Sequence, residues 1–248
     1  MKKVLGSILT PIFYFVFGLT LGIFHPIQVI CWNLWGYTAH KRSVEIFNLL
    51  LIKSLALLGS RVQFQGFDKL PVDRPLIIIS NHQSLFDIPP IVWGFRRQHP
   101  KFISKKELGH GIPSISYNLR KGGSVLIDRK DPQQAVKQIS NLGKKIEKNN
   151  YSAVIFPEGT RSRNGKVKKF KVRGIHTLLE SAPSSLIVPF VIDGNYKLQE
   201  NGSFPLAVGV KMTYTVLTPF ELDGLSAEEV AEKSELQIRE HLGQLFLG

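Results

Sequence analysis

One cysteine in 248 residues, Cys31, leaves no partner for a disulfide framework and no thiolate cluster for a metal. It lies in an apolar run, so a small buried hydrophobe is expected there rather than a reactive thiol. Acid is also scarce. Asp and Glu total 19 against 32 Lys and Arg, a net charge of +13. Lys101 to Arg173 alone holds 18 basic and 5 acidic residues, so that segment carries the equivalent of the whole excess. Such a field suits polyanions: nucleic acid, anionic lipid headgroups or phosphorylated small molecules. Nucleic-acid binding predicts aromatics interleaved with the basic residues. Between Arg161 and Arg173 only Phe170 qualifies, so no nucleic-acid partner is expected. There is no G-x-x-x-x-G-K-[ST] phosphate loop, no G-x-S-x-G nucleophile elbow and no internal repeat.

The N-terminus lacks charge altogether: Val4 to His40 contains no Asp, Glu, Lys or Arg. The run at 4–24 reaches the roughly 20 apolar residues that cross a bilayer. No small-residue cleavage site follows it, which argues against a signal peptide. Pro26 is expected to break the first helix. Basic pairs flank the segment on both sides, Lys2–Lys3 and Lys41–Arg42. Positive charge tends to stay on the cytoplasmic side. A hairpin or half-inserted pair of helices is therefore favoured over a single span, with Trp32, Trp35 and Tyr37 at the interface. Residues 43–58 read as a third apolar helix stopped by Gly59. The expected organisation is a membrane anchor at 1–58 and an α/β domain at 59–248.

In the second part, strand-like and helix-like segments alternate. Strands are predicted at 62–66, 75–80, 101–104, 124–128, 152–157, 185–193 and 208–217. Helices are predicted at 84–97, 113–120, 133–148, 173–181 and from Ser226 to about Leu247, the last opened by a Ser226–Glu229 capping box. The expectation is an α/β fold with a mixed, largely parallel sheet flanked by helices.

Sites in such folds form at the carboxyl ends of strands, and unusual clusters lie there. NHQSLFD (81–87) follows the second strand. His82 and Asp87 suit a general base and the carboxylate that orients its ring. No serine or cysteine nucleophile accompanies them, so the base is expected to act on a hydroxyl of the substrate. FPEGTRSR (156–163) follows another strand. Gly159 with its neighbouring N–H groups, the Thr160 hydroxyl, Arg161 and Arg163 suit a phosphate. Glu158 suits orienting those arginines or binding a substrate hydroxyl. A solvated turn is the bland alternative. Arg129 ends a third strand and Lys105 a fourth; both are further candidates for the cradle. No cluster of metal-ligand spacing occurs.

These motifs resemble the glycerolipid acyltransferases, in particular the 1-acyl-glycerol-3-phosphate acyltransferases. The family's N-H-Q-S-x-x-D is NHQSLFD here, and its F-P-E-G-T-R-S is complete at Phe156–Ser162. Its second block resembles residues 105–129 and its fourth Ile187–Phe190, all in the family's order. The resemblance implies that His82 is the base and Asp87 its partner. It implies that Arg129, Arg161 and Arg163 hold the acceptor's phosphate, with Glu158 in the acceptor site and Lys105 nearby. The second block usually reads P-F-F-G, where this chain has Pro113–Ser114–Ile115–Ser116, and a Phe is common where Leu126 stands. Those positions are expected to line the acyl or acceptor channel.

The resemblance further implies transfer of a fatty acyl group from acyl-CoA or acyl carrier protein to the sn-2 hydroxyl of lysophosphatidate, giving phosphatidic acid. No cofactor beyond the co-substrate and no metal is expected. The setting it suggests is the phospholipid bilayer, at the cytoplasmic face of a bacterial inner membrane. Glycerol-3-phosphate or another lysolipid is the alternative acceptor. Non-catalytic binding of anionic lipid is a reading of a different class.

Overall fold

A computed structural model of the chain describes residues 1–245. Its centre is a seven-stranded sheet ordered β1-β7-β6-β2-β5-β3-β4. The strands are β1 (Arg61–Gln65), β2 (Leu76–Ser80), β3 (Pro100–Lys105), β4 (Val125–Ile127), β5 (Ser152–Ile155), β6 (Leu186–Asp193) and β7 (Lys211–Val216). All neighbours pair in parallel except β6 with β7. The α/β class and the largely parallel sheet are thus as expected. All seven predicted strands form, with ends shifted by a few residues.

Helices cover both faces, which is why β2 reads as an unbroken β-branched run. Leu76 and Ile78 join one core with Phe102, Val154, Val188 and Phe190. Ile77 and Ile79 join the other with Ile139, Ile155, Ile175 and Ile187. The first core lies under α1 (Lys2–Ser54) and α2 (Ile88–Gly94). The second lies under α4 (Pro132–Asn149), α5 (Val172–Ser181) and α7 (Ala227–His241), while the shorter α3 is Ile115–Lys121 and α6 is Asn195–Leu198. The Ser226–Glu229 capping box opens α7 as expected. The helix stops at His241, where Leu242 and Gly243 turn the chain, short of the expected end near Leu247; Leu247 itself lies outside the described residues. The predicted helix 84–97 divides into a 3-10 turn (Leu85–Asp87), α2 and a second 3-10 turn (Arg96–Gln98).

The N-terminal segment differs from expectation. Pro26 lies inside α1, and the chain turns instead at Gly36, whose φ of 72° and ψ of −157° are non-helical. A reversal here needs positive φ, which glycine adopts freely and proline, locked near −65°, cannot. Pro26 removes one backbone donor, and the helix absorbs that loss. The result is a hairpin of two arms, 2–35 and 37–54, so residues 43–58 continue the second arm and are not a separate helix. Phe24 packs on Phe47 and Trp32 on His40 across it. Gly59, at φ 65°, ends the second arm as expected. Trp35 is exposed, but Tyr37 turns inward, its hydroxyl 2.7 Å from Lys101 Nζ and 2.9 Å from His99 Nδ1. Cys31 is only partly buried.

The boundary at residue 58 separates the hairpin from the sheet in sequence but not in packing. Phe13, Val44, Leu55 and Leu58 belong to the same core as Ile78 and Tyr214. Thr10 Oγ1 accepts from Leu206 N at 3.0 Å, and Tyr14 donates to the Ser203 carbonyl at 2.7 Å.

Candidate active site

β2, β3, β4, β5 and β6 run in one direction, so their carboxyl ends share one edge of the sheet. His82 leaves β2, the 156–163 turn leaves the adjacent β5, Lys105 ends β3, and Arg129 follows β4. That edge opens on a cavity of about 640 Å3, lined by His82, Lys105, Arg129, Gly159, Thr160, Arg161 and Arg163 among others. Seven of the nine residues singled out from sequence line this cavity; Asp87 and Glu158 stand behind His82.

The 81–87 turn is built around the Asp87 carboxylate, which is fully buried. Its Oδ2 lies 2.7 Å from His82 Nδ1 and accepts the N–H groups of Gln83 at 2.7 Å and Ser84 at 3.0 Å. Its Oδ1 accepts from Asn195 Nδ2 at 2.6 Å. Four hydrogen-bonding partners thus surround this solvent-free carboxylate. With Nδ1 occupied, Nε2 is the imidazole nitrogen left for a proton. The ring stacks on Phe156 at 4.2 Å between centroids, which fixes its plane.

Asn81, Gln83 and Ser84 brace the turn, while Leu85 lines the cavity. Asn81 exchanges two hydrogen bonds with the backbone of Ile192, each 2.8 Å. Ser84 donates to Gln199 Oε1 at 2.9 Å, and Gln83 Oε1 accepts from Tyr196 N at 3.3 Å.

Glu158 is buried, and both its oxygens are occupied by main chain. Oε1 accepts from His82 N at 2.7 Å and Oε2 from Lys168 N at 3.1 Å. Burial pushes its carboxyl above the usual range, and the two N–H donors and nearby His82 and Lys168 oppose that shift. It therefore joins the His82 turn to the 156–170 segment and does not line the cavity. Ser162 N adds a second tie, donating to the His82 carbonyl at 2.7 Å. Gly159 takes φ 72°. The Thr160 hydroxyl is already engaged by Lys168 Nζ at 2.9 Å.

The arginines are different. Among the described residues Arg129, Arg161 and Arg163 make no side-chain hydrogen bond or ion pair. Asp128 pairs with Lys106, which leaves its neighbour Arg129 free. Three unpaired guanidinium groups at one cavity suit a phosphate.

The family's acyltransferase domain matches residues 61–193, more than half the chain, with the strand-end clusters inside it. The chain belongs to the acyltransferase family. This acyltransferase is 25% identical over 188 residues to 1-acyl-sn-glycerol-3-phosphate acyltransferase alpha of Mus musculus, a match covering 76% of the chain and 65% of the relative. It is 27% identical over 218 residues to the 1-acyl-sn-glycerol-3-phosphate acyltransferase of Cocos nucifera, covering 85% and 68%. The chain spans about two thirds of the length of these relatives. The crystal structure of the 1-acyl-sn-glycerophosphate (LPA) acyltransferase PlsC from Thermotoga maritima superimposes with a TM-score of 0.81, at 26% identity, over 99% of this chain and 98% of that one.

Two features of the acyltransferase site escaped the sequence reading. Asn195, fully buried after β6, holds the far oxygen of Asp87 and also donates to the Tyr214 hydroxyl. Nothing local marks it, since the contact spans 108 residues. Lys171 and Arg173 also line the cavity; the basic run that contains them hid them. The departures from the family pattern lie elsewhere. Ser114 docks on α1, donating through Oγ to the Leu21 carbonyl at 2.7 Å. Leu126 packs against Gly109. Neither lines the cavity.

Proposed function

We propose that this acyltransferase moves a fatty acyl group from acyl-CoA or acyl carrier protein to the sn-2 hydroxyl of 1-acyl-glycerol-3-phosphate. The observation that carries the reading is a His–Asp pair, with no nucleophile of its own, opening on an apolar-walled cavity that holds three unpaired arginines. The acceptor's phosphate docks on Arg129, Arg161 and Arg163. His82 Nε2 takes the proton of the free hydroxyl as its oxygen attacks the thioester carbonyl. Asp87 stabilises the imidazolium. Lys105 lines the cavity and supplies positive charge to the oxyanion. The carbon–sulfur bond then breaks, and the imidazolium returns its proton to the leaving thiolate. The products are phosphatidic acid and the free thiol.

The setting proposed is one leaflet of a phospholipid bilayer, at the cytoplasmic face of a bacterial inner membrane. The first arm of α1 is about 50 Å long at 1.5 Å per residue. One side packs on the domain through Thr10, Phe13 and Tyr14. The other exposes Ile8, Ile12, Phe15, Leu19, Ile23 and Ile30, a stripe at helical spacing. An arm bound along its length to the domain lies in the membrane plane more readily than across it.

The test is turnover by purified protein with lysophosphatidate and several acyl donors, the lipid products being resolved by thin-layer chromatography. Phosphatidic acid is expected. Preferential acylation of glycerol-3-phosphate or another lysolipid would move the assignment within the family. No acylation of any acceptor, with anionic-lipid binding intact, would sink the enzymatic reading.

A further inference from the structure

The cavity carries more positive charge than one acceptor needs. Lys105, Arg129, Arg161, Arg163, Lys171 and Arg173 line it, with no Asp or Glu among the described residues. A phosphate monoester brings about −1.5 to −2 charges at neutral pH, which leaves most of six cations unbalanced. The surplus has a definite place. Lys171 immediately precedes α5 and Arg173 lies in its first turn, both exposed. Lys171 Nζ lies 3.2 Å from where a Cβ on Gly159 would stand, so it reaches the 156–163 turn. Arg129 follows β4, beyond β3 from that turn.

Beside these two cations the cavity wall is apolar and runs between α4 and α5, through Val136, Ile139 and Ile155. Gly174 lines this wall, and its missing side chain leaves Ile155 and Ile139 their places in it. A Cβ there would stand 2.8 Å from Ile155 Cδ1 and 3.9 Å from Ile139 Cδ1. A second apolar wall, with Ile88 and Phe102, belongs to the core on the opposite face of the sheet. The cavity thus has two apolar walls on opposite faces, and only the α4/α5 slot has spare cations at its side.

We propose that the slot between α4 and α5 holds the phosphopantetheine arm of the acyl donor, with its phosphate on Lys171 and Arg173 and its thioester toward His82. The assignment rests on the acyl-transfer reading above. The arm is a narrow, uncharged chain that ends in phosphate, and it is common to coenzyme A and acyl carrier protein. A fatty chain in the same slot leaves both cations without a partner.

The experiment compares four palmitoyl thioesters as donors to lysophosphatidate: of coenzyme A, acyl carrier protein, 4′-phosphopantetheine and pantetheine. A wild-type protein inactive with all four refutes the acyl-transfer reading itself. With an active protein, loss of the phosphate from phosphopantetheine should raise the donor KM about 10- to 150-fold, the scale of hydrogen bonds to a charged group. In the Lys171→Ala/Arg173→Ala double variant that ratio should fall close to one, with the KM for lysophosphatidate unchanged. Both residues are exposed, so this variant keeps the test valid even if a core change fails to fold. Gly174→Val, checked by thermal melting, should raise the donor KM equally for acyl chains of all lengths. A double variant that raises the acceptor KM instead overturns the proposal. So does a loss confined to palmitoyl-CoA, which would put nucleotide phosphates on the two cations. A change of acyl-length preference in Gly174→Val would put the fatty chain in the slot and overturn it too.

Discussion

His82, Asp87 and Asn195 form one line of hydrogen bonds from the cavity into the core. His82 and Asn195 should fail in different ways. His82→Ala should cost about a hundredfold or more in turnover, the scale of losing a general base, with acceptor binding little changed. Near-normal turnover in the folded variant would exclude His82 as the base. Asn195→Leu should lower kcat about tenfold or more by leaving Asp87 Oδ1 unpaired in a dry site, with both KM values preserved. A raised KM at constant kcat would show that Asn195 shapes substrate binding and does not position Asp87. Away from the site, Lys101 is a buried amine held by the Tyr37 hydroxyl and set over the Tyr37 and Tyr151 rings. Burial, with Lys41 and Lys145 nearby, pushes it down to about 7 from 10.5. Between those values the unfolded chain binds more protons than the folded one, so stability rises with pH across the window; below about 7 the full penalty is felt. Lys101→Met should therefore raise the melting temperature more at pH 6.5 than at pH 10. An unchanged pH slope in melting curves would mean that Lys101 stays protonated when folded.

At the scale of elements, the hairpin and the sheet are coupled through aromatic contacts. Phe13 is fully buried, 5.7 Å from Phe86 between ring centroids, and Phe86 sits inside the His82–Asp87 turn. Phe13→Ala should destabilise the whole protein by about 3–5 kcal/mol, seen as one shifted transition in detergent. Loss of helical signal from the hairpin alone, with the sheet melting as before, would show an independent anchor. This coupling was hidden in the sequence, where residues 4–40 look like lipid-facing chain throughout. The strands were legible because burial on both faces leaves an apolar run such as Leu76–Ser80 no other arrangement. The site was legible because its residues follow strands that run in one direction, so their order along the chain already places them on one edge. The hairpin turn was misread because proline marks a missing donor, whereas the reversal depends on the sign of φ, which Gly36 supplies. Glu158 was misread for a different reason. A carboxylate beside arginines looks like a site residue, and only the fold shows that its oxygens face the main chain of His82 and Lys168.

For the whole molecule, the position of the basic pairs decides between crossing the bilayer and lying on it. With the turn at Gly36, Lys2–Lys3 stand at the free end of the first arm and Lys41–Arg42 just past the turn on the second, about 40 Å apart by helical rise. A perpendicular span would put these pairs on opposite sides of the membrane, against the usual retention of positive charge. It would also carry the Thr10–Leu206 and Tyr14–Ser203 contacts, and the loop they hold, into the hydrocarbon. The proposed placement in one leaflet avoids both costs and would set the cavity where the proposed membrane acceptor and water-soluble donor meet. High salt should then fail to release the protein, because the apolar contact is not screened. A unique cysteine beside Lys3, in a Cys31→Ser background, should resist an impermeant thiol reagent applied to intact cells and react once the cells are opened. Labelling from outside would establish a true span and defeat the in-plane arrangement.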